Sequence, residues 1–425
     1  MVLILVSSDF QIWIFILEMM ILRTEYQMNK TSEILFITTG SLATNPRLVK
    51  EFETLKNNVK CHVMYFLSDD WSMALTKEIK LRNPEVNFIE IYRKQVFLET
   101  LVSRVIHKMA IVFNGFFKNN TQICAFANND KAPQLWFRSN RLFRNVNLSR
   151  VIAHNLGAFY PAYKLAMNSS IKLQLDIEDY HPGEALYFNK KHEYQNRIVI
   201  MQSAFNSADA ITYASQGIKL KCETVFNFKQ QTKRAVIINS FRSVDFGEPI
   251  VTNEKLNFVW FSQNISPKRG LEEVFEVAKE FSNAKFHLIG KPDRNFIEQM
   301  KISQNVSIYQ PMCQDKLHRF LSKMDVGLAL ENRDADGNRD ICLTNKFLAY
   351  AQAGLFILAT DTFGQTHFLK KLGKQAGIII ETSLSDEIRQ LDREFLQLKF
   401  KVERWKRAKA FSWETQSSIL KEMVK

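Results

Sequence analysis

The stretch LTNKFLAYAQAG, Leu343 to Gly354, followed by LFILATDTFGQ, Leu355 to Gln365, decides how the chain reads. Thr344 and Asn345 are N-cap residues, and Phe347, Leu348 and Ala351 fall on one helical face. Gly354 stops the helix before an apolar run of strand length. The unit predicts a helix with a polar start whose end feeds a buried strand. Free N–H groups and the positive end of the helix dipole meet Lys346 in the first turn, a combination suited to a diphosphate.

Length and composition set the frame. A chain of 425 residues predicts two or three domains, and 46% hydrophobic with 24% charged residues is a soluble globular balance. The five cysteines are scattered, with no CxxC pair, which argues against a disulfide framework or a zinc site and favours a reducing compartment. Of the net charge of +13, Lys30 to Arg150 carries 18 Lys/Arg against 10 Asp/Glu, a difference of +8. Such a field attracts anionic membranes, nucleic acids or acidic substrates without choosing among them.

Residues 1–27 are apolar over about the length of a membrane span, yet carry Asp9 and Glu18. They lack a basic n-region and a small-residue cleavage site, so a secretory signal is not expected. Three readings stay open: a start placed too far upstream of Met28, a membrane-associating helix, or an extra packed helix.

After Met28 the chain alternates strands and helices. EILFITTG (33–40) leads into a helix where Asn45 caps, Pro46 takes the first position, and Leu48, Phe52 and Leu55 mark one face. Strands are predicted at 60–66, 86–92, in VIAH before Asn155, at 171–177, 207–215 and 234–241. QVFLETLVSRVIHKMAIVFNGFFK (95–118) is a long amphipathic helix, either a core helix of the first domain or a face that touches a membrane. LWFRSNRLFR (135–144) interleaves arginines with aromatics, but no nucleic-acid recognition motif accompanies it, and a solvated basic face is expected. The polar segment 242–255 is the expected linker, followed by strands at 256–262, 286–290, 306–310, 325–330 and 377–380 and a helical, basic tail from Ser383.

Two clusters carry chemistry. His154 and Asn155 stand at the carboxyl end of a strand, where ligands bind in doubly wound sheets. Asp176, Glu178, Asp179, His181 and Glu184 crowd the end of the next strand, and carboxylates packed beside an imidazole hold groups that titrate near neutrality. A metal site built from these residues is the alternative reading, though no second acidic triplet accompanies it.

The segment Val326 to Gln365, with its strand VGLALE, loop NRDADGNRD, "NK…Y…AG" helix and Asp-Thr-x-Gly-Gln turn, resembles the nucleotide-sugar half of family-four, retaining GT-B glycosyltransferases. NPR after the first-strand glycine loop and the HN-x-G-A turn extend the resemblance over nearly the whole chain. It implies that Gly40 and Arg47 border the cleft, that His154 and Asn155 face it, and that Asp179 and His181 lie near the sugar, with Glu178 beside them. Asp179 and His181 are then the first candidates for an acceptor-activating base or an anchor of sugar hydroxyls. On the donor side it implies Arg269, Lys346, Asn345, Glu331, Gly364 and Gln365. It also implies that no bound metal and no cofactor beyond the nucleoside-diphosphate sugar are needed. Two departures stand out: Gln263 replaces a first cationic contact, and Ala349 replaces a ribose-holding glutamate.

The expected architecture is α/β: a GT-B pair of Rossmann-like doubly wound domains facing a cleft. An acceptor domain spans 28–241, a linker 242–255, a donor domain 256–400, and a final helix, 401–425, crosses back to the first domain. The expected activity is transfer of a sugar from a nucleoside diphosphate to a hydroxyl of a glycan or lipid-linked glycan in cell-surface polysaccharide synthesis. The expected location is the cytoplasm, with peripheral contact at the inner membrane face through the basic first domain and no nucleic acid as partner. A nucleotide-sugar epimerase and an inactive scaffold of the same fold are the rival readings.

Overall fold

Ile34, Leu35, Phe36 and Ile37 are all buried in strand β1 (Glu33–Thr38). A strand apolar on both faces needs parallel neighbours on its edges and helices above and below. In this computed structural model, which describes residues 32–70, 72–187, 190–250, 255–332 and 336–425, it has both. The expectations placed on residues 1–27 fall outside the described residues.

β1 lies between β2 (Lys60–Phe66) and β4 (Leu148–His154). With β3 (Asn87–Ile91), β5 (Lys172–Ile177), β6 (Ala210–Tyr213) and β7 (Lys233–Val236) they form a parallel sheet of order β3-β2-β1-β4-β5-β6-β7. Its connections and cover are α1 (Pro46–Leu55), α2 (Ser72–Arg82), α3 (Phe97–Asn114), α4 (Thr121–Asn128), α5 (Ala132–Phe143), α6 (Leu156–Ser169), α7 (Lys190–Ser207) and α8 (Gln216–Val225). The second sheet joins β8 (Asn257–Ile265), β9 (Lys285–Pro292), β10 (Val306–Tyr309), β11 (Val326–Ala329), β12 (Phe356–Thr360) and β13 (Gly377–Ile380) in the order β10-β9-β8-β11-β12-β13. Its helices are α9 (Leu271–Glu280), α10 (Arg294–Gln299), α11 (Gln314–Leu321), α12 (Asn345–Gln352), α13 (Phe363–Leu372) and α14 (Leu384–Arg389).

Both sheets reverse their winding once, between β1 and β4 and between β8 and β11. Such a switch point opens a crevice at the carboxyl ends of the strands, where ligands of doubly wound sheets bind. The tail splits into α15 (Leu398–Ala408) and α16 (Trp413–Val424). α15 stays on the second sheet, with Arg404 Nε donating to Gly354 O at 2.9 Å. α16 returns to the first, with Trp413 Nε1 donating to Thr54 Oγ1 at 3.1 Å and Arg150 donating to Val424 O at 3.0 Å.

α12 starts at its Thr344 cap, whose Oγ1 accepts from Phe347 N, and ends at Gly354 with φ +73°. A Cβ at Gly354 would also lie 2.5 Å from Lys401 O, so the glycine serves both the turn and the seat of α15. Three sequence expectations are corrected. β8 runs on to Ile265 instead of ending at 262, because a register irregularity between Phe261 and Asn264 absorbs the expected loop and leaves Gln263 exposed. The strand after Gly354 stops at Thr360 instead of continuing to Gln365. Thr362 caps α13 by accepting from Gln365 N, so Phe363, Gly364 and Gln365 form a first helical turn. The long helix near 95–118 is not a core helix, because its large apolar side chains point outward.

Candidate active site

Arg269 sits in the turn between β8 and α9, where Lys268 (φ +62°) and Gly270 (φ +73°) both take left-handed backbone. A Cβ on Gly270 would stand 3.0 Å from the Leu330 side chain, which brings this turn against the end of β11. Arg269 donates to Ser262 Oγ at 2.8 Å, and among the described residues no carboxylate pairs with it. Glu331 follows β11. Its Oε1 accepts from Lys346 Nζ at 3.1 Å and its Oε2 from Arg339 Nη1 at 3.2 Å. Lys346, only 7% exposed in the first turn of α12, also donates to Leu330 O at 3.2 Å and lies 4.9 Å from the Trp260 ring centre. Burial lowers the Lys346 pKa, Glu331 opposes that shift, and the nearby Arg269 and Arg339 reinforce it.

The loop from Asp336 to Cys342 carries this cluster across to the first sheet. Asn338 Nδ2 donates to Asp179 Oδ1 at 2.7 Å, and Asn338 Oδ1 accepts from Tyr180 N at 2.8 Å. Asn338 N also donates to Gly183 O at 3.2 Å, and Ser215 Oγ donates to Ile341 O at 2.7 Å. Between the two sides lies a cavity of about 360 Å³, bordered by Asp179, Glu184 and Arg197 from the first and by Glu331, Arg339 and Thr344 from the second. Burial and Glu184 raise the Asp179 carboxyl, against His181 and the Asn338 hydrogen bond. His181 is itself buried. Burial disfavours its charge, but the 2.8 Å contact of Nδ1 with Glu184 Oε2 and the field of Asp179 hold the imidazole above its usual pKa.

The other first-domain residues expected at the site are turned inward. Arg47 has no exposed surface, which corrects the expectation that it faces an acceptor. Its Nη2 donates to Asp176 Oδ1 at 2.7 Å, its Nε also bonds Asp176, and its Nη1 bonds Ile237 O. His154 is equally sealed, with Nε2 3.3 Å from Glu51 Oε2 and Nδ1 3.1 Å from Glu178 Oε1. Burial opposes its charge, yet Glu51, Asp176 and Glu178 hold the His154 pKa well above normal. Only Glu178 of this group is partly open to solvent. Asn155 adopts φ +66° and ψ +156°, a conformation rare outside glycine, and its side chain clamps the end of β1. Nδ2 donates to Thr38 Oγ1 at 2.6 Å, and Oδ1 accepts from Thr39 Oγ1 at 2.8 Å. Gly40 sits beside that clamp.

On the donor side, Gln365 is fully buried and donates to Thr360 Oγ1 at 3.1 Å, while a Cβ on Gly364 would collide with Cys342 O. Gly364 seats the 340–342 loop and Gln365 ties the start of α13 to the end of β12, and neither presents a surface to a ligand, which corrects their expected place. Asn345 is exposed but looks away from the cavity, accepting from Asn239 Nδ2 at 3.0 Å in a separate crevice that Lys50, Phe241 and Trp413 also border. Arg339 and Arg197 were not singled out by sequence reasoning. Arg339 lies inside the loop NRDADGNRD, of which the stretch from Asn338 to Asp340 was a candidate for ribose contact as a whole, and Arg197, which donates to His181 O at 2.6 Å, belongs to no local motif.

Glu51, His154 and Asp176 bring three potential metal-ligating atoms within 4.8 Å of one another. Both Asp176 oxygens, however, are engaged by Arg47, and Thr212 also bonds Oδ1. The guanidinium occupies the place a cation would take, so the donor set does not fit a metal. A further groove, lined by Ser149, Arg150, Lys172 and Lys421, lies at the amino-terminal ends of β4 and β5, the end of such sheets that carries no ligand.

A scan against family models and a search of curated proteins give no match for this sequence. Shape does. The structure of HepE from Anabaena in complex with UDP and glucose superposes with TM-score 0.62 at 10% identity, covering 92% of this chain and 98% of that one. The fold is GT-B. Sucrose-phosphate synthase from Thermosynechococcus elongatus gives TM-score 0.61 at 11% identity over 92% and 98% of the two chains. A glycosyltransferase from Rickettsia africae gives 0.58 at 13% over 93% and 99%. The match runs through both sheets of this GT-B chain and through the tail that returns to the first, as the resemblance implied.

Proposed function

We propose that this chain transfers a sugar from a nucleoside diphosphate to a hydroxyl of a glycan or lipid-linked glycan, with retention at the anomeric carbon. The observation that carries the proposal is the convergence of Arg269, Lys346 and Arg339 at the carboxyl ends of β8 and β11, beside a cavity closed on its far side by Asp179. In the reaction the bond between the anomeric carbon and the diphosphate oxygen breaks, and the electron pair leaves with the diphosphate. Charge therefore grows on that group, and fixed cations in a half-buried site stabilise it most at the transition state. Arg339 takes up the cationic role that Gln263, exposed in the bulge, does not fill. The new bond forms to the acceptor oxygen, whose proton passes to a base. Asp179 is the cavity carboxyl that burial and Glu184 raise, which favours its accepting a proton. His181, held by Glu184 and within the field of Asp179, acts from behind as a positioning group.

The GT-B neighbours support this reading, HepE above all, since its structure holds UDP and glucose. The basic first domain supports a lipid-linked acceptor in cell-surface polysaccharide assembly at the cytoplasmic face of a membrane. A panel of nucleotide sugars, screened for thermal protection and then for donor turnover with and without glycan acceptors, tests the proposal. Transfer to an acceptor hydroxyl is expected. Isomerised donor without an acceptor identifies an epimerase, and no protection by any nucleoside diphosphate identifies an inactive scaffold.

A further inference from the structure

α3 is built inside out. Its inward stripe is Thr100, Ser103, His107, Ala110 and Asn114, small or polar, with Ile106 the one large apolar side chain of the helix that packs against the core. Those polar groups are satisfied where they stand: Thr100 Oγ1 donates to Arg93 O at 3.1 Å, Ser103 Oγ to Asp130 O at 2.7 Å, and His107 Nδ1 lies 2.6 Å from Phe126 O. The register is therefore fixed by the fold and cannot rotate to hide the other face. On that other face Leu98, Leu101, Val105, Met109 and Val112 recur at helical spacing, Leu98 75% exposed, and Phe116, 81% exposed, follows in the turn after the helix. The stripe runs the whole helix, about 27 Å at 1.5 Å per residue. Phe137 and Leu142 of the neighbouring α5 are also exposed.

We propose that this face lies in the surface of an anionic lipid bilayer. The charges choose the occupant. Arg104 and Lys108 stand exposed along one flank of the stripe, with Lys118 and Arg144 exposed nearby. The single acid of the helix, Glu99, is neutralised by Arg138 at 2.6 Å and Arg141 at 3.5 Å. A cationic flank beside an apolar stripe is the pattern of a helix lying in the headgroup plane, with long basic side chains reaching up to lipid phosphates. A second copy docked antiparallel about a two-fold axis perpendicular to α3 would instead set that cationic flank against itself. α3 begins just past the carboxyl end of β3, the edge strand of the first sheet, on the side of the sheet where the strands end toward the cleft. The inference deepens the glycosyl-transfer reading by locating its acceptor on a membrane lipid. It rests on that reading for the acceptor alone, because vesicle binding is measured without donor.

The test is sedimentation of the full chain with phosphatidylcholine vesicles, with and without phosphatidylglycerol. The chain is expected to pellet only with the anionic vesicles and to be released by salt. The triple variant Leu101→Glu/Val105→Glu/Val112→Glu should lower vesicle binding by about a hundredfold. The double variant Arg104→Ala/Lys108→Ala should lower it by about tenfold. The thermal midpoint should hold in both, since every altered side chain is exposed, and donor turnover with a water-soluble acceptor should be unchanged. A wild-type chain that stays in the supernatant with anionic vesicles overturns the proposal. So does a triple variant that pellets as well as wild type, which would assign binding to another part of the chain. A wild-type dimer that the triple variant converts to monomer, without vesicle binding, assigns the face to self-association.

Discussion

The two ionic clusters of this molecule are opposites. Around Arg47 and His154, three carboxylates (Glu51, Asp176 and Glu178) answer two cations, and apart from Glu178 the group is sealed. Around Lys346, Glu331 is shared by Lys346 and Arg339, Arg269 stands near without a carboxylate of its own among the described residues, Asp336 lies 3.8 Å from Arg339, and Glu331, Asp336 and Arg339 border a cavity. Burial and the neighbouring Asp176 raise the Glu51 carboxyl, which brings the three acids close to balance with Arg47 and His154, and a cluster balanced within the core holds structure. A cluster left short of negative charge beside a cavity is arranged for an anion that the chain does not supply.

Substitutions should divide along that line. Arg47→Met leaves Asp176 buried without its cation and should cost about 3–5 kcal/mol of folding stability, read by urea unfolding. An unchanged midpoint would place the group among the functional ones. Arg269→Ala/Lys346→Ala should do the reverse, lowering kcat/KM for donor turnover by about 10²–10³ with little change in thermal midpoint. Loss of folding in place of loss of turnover would erase the contrast.

The two clusters also titrate in opposite directions. Burial alone would raise Asp176, but Arg47 and His154 hold its carboxyl well below the usual aspartate range. A depressed carboxyl contributes stability that is present above its unfolded pKa and lost as pH falls below about 4. Wild type should therefore show an acid-unfolding component in that range that Arg47→Met lacks. Lys346, lowered by burial, should lose its charge at a pH below that of a free lysine, so diphosphate affinity, followed by calorimetry, should decline as pH rises. The smallest effect is expected from Thr344→Ala, which removes one cap bond from α12 for about 1 kcal/mol and leaves the cations in place.

Most of the fold was legible because its signals are local. Thr344, Gly354, Asn45 with Pro46, and the apolar runs of β1 and β11 each announce an element within a few residues. Lys346 was legible from the start of its helix and Arg269 from the resemblance, and the fold brings them together because both follow strands that flank a switch point. What escaped depends on partners far along the chain. Arg47 reads as a cleft residue until Asp176, 129 positions later, is seen to enclose it. Periodicity shows that α3 has two faces but not which one the core accepts, and here the core accepts the polar one. The end of β12 was misplaced because Thr362 can finish a strand or cap a helix, and only the bond from Gln365 N decides.

Asn338 spends both ends of its amide on the opposite domain, one on Asp179 and one on Tyr180, while its neighbour Arg339 remains bound to Glu331. One short span of backbone thus straddles the hinge-facing gap like a strut. If the halves part, that strut must release either the first domain or Glu331, and in the second case a carboxylate beside Lys346 loses one of its two counterions. Opening of the molecule and the electrical state of its anion pocket would then be a single coordinate, changed together by one displacement.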